Sequence, residues 1–174
     1  MKPIQLTLVC HGLTEAQRVG RFALDDEPLR DPADVPGRVF GAAHCLSAPE
    51  RRARQTAEGL SARVDEGLRD ADFGNWKGMP LKRLDQQALQ AWLSDPHATP
   101  HGGESIAALC LRVGHWMDTA LGEGDWVGIT HPFVIRAAML HALGAPLEVF
   151  HRIDVSPLAR VCFSRYGKWR MQVG

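Results

Sequence analysis

Apolar positions along the chain alternate between two periodicities. Residues 5–9 (QLTLV) form a short apolar run with β-branched content, closed by Cys10, His11 and Gly12, and predict a strand followed by a turn. The polar segment 13–22 that follows shows no decisive period, and residues 25–41, rich in Pro, Asp and Gly, read as a loop over the fold. Residues 42–46 predict a second short strand. After it, Ser47 and Glu50 have the S-x-x-E spacing of a capping box with Pro49 in the first turn, which predicts a helix from about residue 48 to residue 63. Helical spacing recurs at Leu81, Leu84, Ala88, Leu89 and Trp92, and again at Ile106, Leu109, Cys110, Val113, Met117 and Ala120 after the Gly102-Gly103 turn. Residues 126–130 predict a third strand leading into His131, and Pro132 suits the start of a helix that ends before Gly144. Residues 160–173 read as a hairpin turning at Tyr166-Gly167. Strands separated by helices predict a three-layer α/β/α sandwich with a largely parallel central sheet, a fold that binds ligands at the carboxyl ends of its strands.

Composition narrows the class without changing this picture. The 174 residues are 45% hydrophobic and 23% charged, ordinary for a globular protein, and suggest one domain over residues 1–174. At this length roughly 70% of the unfolded surface can be buried, so no disulfide or metal staple is needed. Lys+Arg and Asp+Glu both total 20, which argues against nucleic acid as a partner. No stretch reaches the roughly 18 apolar residues of a membrane span, and the amino-terminal apolar run is too short for a signal peptide. The four cysteines, Cys10, Cys45, Cys110 and Cys162, form no C-x-x-C pair, so reduced thiols in a cytoplasm are the plain expectation.

Of the eight histidines, only His11 and His131 directly follow a predicted apolar strand. His44 lies within a strand and His115 and His141 within helices, while His97, His101 and His151 fall in or near loops; surface or packing roles suit these six, His101 being the least certain. A single strand-end His is more often a partner for buried backbone groups than a catalyst, but the pair comes with a third element, Glu50-Arg51-Arg52-Ala53-Arg54, at a helix start. Guanidiniums clamp phosphoryl oxygens and helix amino termini attract anions, so the combination points to a phosphate site. Positions 51, 52 and 54 cannot all face it, which leaves Arg51 or Arg54 in water.

These segments carry a resemblance. Leu8-Val9-Cys10-His11-Gly12-Leu13-Thr14 resembles the R-H-G-x-T signature of the histidine phosphatase superfamily, the phosphoglycerate mutase-like fold, with Cys10 where the family has arginine. Residues 47–57 are similar to its S-x-P-x-x-R-A-x-Q-T-A block and residues 68–78 to its L-x-E-x-x-F-G-x-W-x-G block. Residues 100–105 and 129–136 resemble the two remaining blocks, in the same order along the chain. The resemblance implies a phosphohistidine mechanism with no cofactor and no metal. His11 would be the nucleophile, Arg52 and His131 would stabilise the transferring oxygens, and Asp70, where the family usually has Glu, would protonate the leaving alkoxide. For that work Asp70 must hold a proton near neutral pH, against an unperturbed value of about 3.9; Asp72 is its nearest rival. The candidate substrate contacts are Cys10, Gly12, Thr14, Gln17, Arg21 and Glu104, Gln17 standing where the family often has Asn.

Cys10 removes a charged fork whose loss can cost about 3 kcal/mol, on the order of a hundredfold in rate. Arg18 and Arg21 are candidates to fill the vacant space, with Arg136 a weaker one. Cys10 as a thiolate nucleophile is disfavoured, since strand neighbours face opposite ways; a packed thiol is the commoner fate. The expected activity is therefore hydrolysis of a small phosphorylated metabolite. The alternative is a member that binds phosphoesters with weakened or lost turnover; a phosphoglycerate mutase ranks lower because 174 residues leave little room for an enclosing lid. Residues 79–99, with Lys82, Trp92 and Leu93, are expected to wall the site, and Asp25, Asp26 and Glu27 would repel a highly anionic ligand if they faced it. Phe73 and Trp76 read as core anchors. Homodimerisation is left open.

Overall fold

The computed structural model describes residues 2–32 and 44–174. Most of the predicted loop 25–41, and the first two residues of the predicted strand 42–46, lie outside the described residues. The element order is β1 (Ile4–Cys10), α1 (Glu15–Val19), β2 (His44–Ser47), α2 (Arg51–Thr56), β3 (Arg63–Val64), α3 (Gln86–Ser94), α4 (Ile106–Thr119), β4 (Gly124–Thr130), α5 (Pro132–Leu143), β5 (Arg160–Tyr166) and β6 (Lys168–Gln172). Six strands form one mixed sheet in the order β3-β2-β4-β1-β5-β6. β1, β2, β3 and β4 pair in parallel, while β5 and β6 are antiparallel additions at one edge. The α/β sandwich is thus as expected, with its parallel part confined to four strands.

The two central strands explain their own composition. β1 alternates as far as Thr7 and is then buried on both faces at Leu8, Val9 and Cys10, while β4 is continuously buried from Val127 to Thr130, so the unbroken burial lies at the carboxyl ends of the two strands. Leu109, Val113 and Met117 of α4 and Val134, Ile135 and Ala138 of α5 complete the core. α4 and α5 approach closely at Gly114, where a Cβ would lie 2.6 Å from Nδ1 of His141.

Three local expectations are corrected. The predicted helix 48–63 is only six residues long, because Glu50 does not cap it and the chain turns beyond Ala57 through Gly59 at φ +83°. A capping box is instead present at Thr14 and Gln17, which starts α1 in the segment without decisive period, and Gly20 closes that helix in the left-handed conformation. The helical run 81–93 is split into a 3-10 turn (Leu81–Arg83) and α3, since the Asp85 side chain accepts from the Ala88 N–H and begins a new helix. Ser105 caps α4, and the hairpin turns at Gly167 as expected.

Candidate active site

Sheet register brings the two strand-end histidines together. β1 and β4 are parallel neighbours with Cys10 opposite Thr130, so His11 and His131 leave the same edge side by side. The His11 N–H donates to the Thr130 carbonyl at 2.9 Å, and the two rings meet edge to face with centroids 5.2 Å apart. Nδ1 of His11 lies 2.7 Å from the Gly12 carbonyl. A carbonyl only accepts, so Nδ1 carries the proton and Nε2 presents a lone pair. Burial, reinforced by His131 and Arg52, lowers the pKa of His11 to about 3, which keeps the ring neutral.

His131 is fully buried, with Nε2 2.7 Å from Oε2 of Glu50. Its Nδ1 stands 3.3 Å from Oδ2 of Asp70 without hydrogen-bond alignment and has no bonding partner among the described residues. Burial would raise the pKa of Glu50, but the hydrogen bonds and charge it meets, chiefly from His131, bring it down to about 2. Glu50 Oε1 also accepts from the Asp70 N–H at 3.0 Å, so this carboxylate ties the 70–72 loop to the second histidine. Sequence reasoning missed it: S-x-x-E at a strand end is the same text whether the acid caps a helix or bonds across the site. The one available signal was an acid two positions before the arginine assigned to phosphate.

Arg52 is the inward arginine of its run, buried between exposed Arg51 and Arg54. Its Nη1 donates to the Leu24 carbonyl at 2.8 Å and its Nη2 to Oδ2 of Asp70 at 2.6 Å. Thr56 links α2 to the first loop, accepting from the Gly12 N–H at 3.0 Å and donating to the Arg52 carbonyl at 2.8 Å. Asp72 faces elsewhere: it accepts from the Gly74 N–H and lies 3.7 Å from Lys77. Gly74, at φ +48°, is required there because a Cβ would lie 2.1 Å from the His101 carbonyl oxygen.

His11, Arg52 and Asp70 open into a cavity of about 270 Å³, also lined by Thr14, Gln17, Arg21, Phe73, Trp92 and Arg136. Several expectations need correction against this geometry. Cys10 is fully buried and does not line the cavity, and burial pushes its pKa up to about 12, which disables it as a thiolate. Glu104 is also outside: it grips Arg112, whose guanidinium reaches the carbonyls of Gly67 and Arg69, so it braces the 70–72 loop from behind. Gly12 contributes only backbone, holding His11 and Thr56. Arg18 lies in solvent against Glu15, and Arg21 reaches the cavity but is gripped by both oxygens of Glu27 at 2.8 and 2.6 Å. That leaves Arg136. Its guanidinium lies over the Phe133 and Phe150 rings at 5.0 and 5.7 Å, and no hydrogen bond or ion pair reaches it among the described residues. Asp25 pairs with Lys77, away from the cavity, and Leu93 is exposed, whereas Leu81 and Trp92 do form wall. Trp76 is core as expected, while Phe73 is both core and wall. His101 is buried within an aromatic cluster, its Nδ1 accepting from the Gly103 N–H at 2.9 Å.

Comparison with known proteins gives the same fold. Residues 6–173 match the family described as the Histidine phosphatase superfamily (branch 1). A bifunctional protein of Mycobacterium tuberculosis is 30% identical over 174 residues, covering 88% of this chain and 48% of the relative, so the chain spans about half the length of the first curated relatives it matches. A glucosyl-3-phosphoglycerate phosphatase of the same organism is 30% identical, covering 84% of this chain and 76% of its own. Among solved structures, phosphoserine phosphatase from Entamoeba histolytica superposes with TM-score 0.85 at 20% identity, covering 98% of this chain and 95% of its own. A protein from Thermus thermophilus superposes with TM-score 0.75 at 30% identity, covering 97% of this chain and 96% of its own. In the described residues no helix is long and apolar enough to cross a membrane.

Proposed function

Since the chain belongs to the histidine phosphatase superfamily, we propose that it hydrolyses small phosphomonoesters through a phosphohistidine at His11. One observation carries this reading: His11 is held neutral, its Nδ1 proton committed to the Gly12 carbonyl, with Nε2 unbonded among the described residues and facing the cavity that Arg52 also lines. In the first step Nε2 forms a bond to phosphorus as the P–O bond to the alcohol breaks, and the cation developing on the imidazole is met by Gly12. Asp70 gives its proton to the leaving oxygen. Arg52 keeps N–H groups beyond those it gives to the Leu24 carbonyl and Asp70, and these can meet a phosphoryl oxygen. Water then attacks phosphorus, Asp70 takes a proton from it, the N–P bond breaks, and inorganic phosphate leaves with His11 again neutral.

His131 is buried beside the His11 ring and does not itself line the cavity; its Nε2 is held by the Glu50 carboxylate, and Nδ1, without a partner among the described residues, is the atom left to meet a phosphoryl oxygen. Thr14 and Gln17 stand at the phosphate end, and Arg136 supplies the charge that Cys10 lacks. Relatives named for glucosyl-3-phosphoglycerate and phosphoserine fit a small phosphorylated substrate. All four cysteines are free, in keeping with a reducing cytoplasm.

The test is phosphate release from a panel of phosphomonoesters by the wild type and by His11→Ala, without added metal, with acid-labile labelling of the protein trapped during turnover. Turnover and label in the wild type and neither in the variant is expected. Absence of turnover in both transfers the site to the phosphoester-binding alternative.

A further inference from the structure

The cavity extends well beyond the groups that would hold a phosphoryl group, and its far part has a chemistry of its own. Four rings, Phe22, Phe73, Trp92 and Phe133, form a continuous wall. Phe22 and Phe73 meet at 4.8 Å, Phe73 and Phe133 at 5.1 Å, and Trp92 lies nearly parallel to Phe133 at 5.9 Å and 28°. Leu81, 44% exposed, forms the rim.

The polar groups that share this space are mostly committed to one another. The Thr14 hydroxyl accepts from the Gln17 N–H and the Gln17 side-chain oxygen from the Thr14 N–H in the cap of α1, and Arg21 is spent on Glu27. What remains is the Arg136 guanidinium, whose charge reaches Cys10 beside the nucleophile and is taken up by the phosphoryl group, and Nε2 of His151, which is buried with no hydrogen-bond partner among the described residues. A sugar or glycerate moiety carries several hydroxyls or a carboxylate, and each one stripped of water against a phenyl ring without a partner weakens binding. A flat apolar group loses nothing there. Covering roughly 100 Å² of it is worth on the order of fiftyfold in affinity, and about 270 Å³ accommodates a phosphate with one or two rings.

We propose that this site selects phosphomonoesters whose alcohol carries a flat apolar ring, over the polyhydroxylated or acidic phosphates suggested by the names of the relatives. The proposal rests on the phosphatase reading above, but it concerns the wall and not the nucleophile.

The test separates the two. Benzyl phosphate, 2-naphthylmethyl phosphate, glycerol 1-phosphate and glucose 6-phosphate are all esters of primary alcohols, so differences in kcat/KM among them report recognition of the alcohol more than its ability to leave. The ring-bearing esters are expected to exceed the other two by at least tenfold, and the ratio is expected to collapse toward one in Phe133→Ser. Leu81→Ser, at the exposed rim, is expected to reduce the ratio severalfold without touching the core. Equal rates, or a preference for glycerol or glucose phosphate, would overturn the proposal while leaving the phosphatase intact. If no ester turns over, calorimetric binding of benzylphosphonate and methylphosphonate to the same protein decides: tenfold tighter binding of the benzyl compound upholds the selective wall, and equal binding ends it.

Discussion

At the scale of single residues, Arg136 and Cys10 are the pair to interrogate. Burial lowers the pKa of Arg136, opposed by the charge of Asp154, and this desolvated cation stays in the cavity with no anion bonded to it among the described residues. Such a group is costly unless a ligand completes it. Arg136→Met is expected to lower kcat by about ten- to a hundredfold, the range for losing one charged donor to a transition state. Adding Cys10→Arg to that variant is expected to recover at least tenfold, since the family's own arginine position would refill space that Arg136 has left. An unchanged kcat in Arg136→Met would assign the guanidinium to packing on Phe133 and Phe150. Glu50 gives a second residue-level outcome: Glu50→Gln retains an acceptor for His131 but not its charge. A drop of about tenfold in kcat is expected, together with a shifted acid limb in the pH profile of kcat/KM; a loss of stability with an unmoved profile would make Glu50 merely structural.

At the scale of elements, the caps decide what was legible. Ser105→Ala, which removes the acceptor for the Ala108 N–H, is expected to cost about 1 kcal/mol in a urea titration; an unchanged midpoint would show that α4 is held by its buried face alone. The long regular elements could be read because one physical rule dominates each: apolar runs for β1 and β4, the 3.6-residue stripe for α4, and Pro132 and Gly144 bounding α5. The strand-end positions of His11 and His131 followed directly. Shorter elements failed where two rules share one spelling. S-x-x-E at 47–50 reads as a cap although the carboxylate reaches His131, and T-x-x-Q at 14–17 is a cap that no hydrophobic period announces. Arg21 and Glu104 depart from expectation for a related reason. Their long charged side chains find opposite charges, Glu27 and Arg112, contributed by positions that no local pattern connects to the site.

For the molecule as a whole, the buried histidines tie stability to pH. His11, His101 and His151 all have folded-state pKa values lowered by burial, His11 to about 3. Below about 6.5 the unfolded chain takes up protons that the folded chain refuses, so stability rises with pH across this window and is lost as pH falls. For His11 alone the loss between pH 7 and pH 5 comes to about 2 kcal/mol. Glu50 acts in a lower window: its folded value of about 2 lies below its unfolded value, so its contribution is intact at pH 5 and disappears only as pH falls from 4.5 toward 2. Only His11 of these two titrates between pH 7 and pH 5, whereas both contribute between pH 5 and pH 3, so urea titrations at pH 7, 5 and 3 separate them when each variant is compared with wild type. His11→Gln is expected to reduce the change in both intervals, and Glu50→Gln only the change between pH 5 and pH 3. The same slope in wild type and His11→Gln between pH 7 and pH 5 would mean that the nucleophile's ring titrates in the folded protein as it does in water, and the neutral His11 on which the proposed chemistry depends would be lost with it.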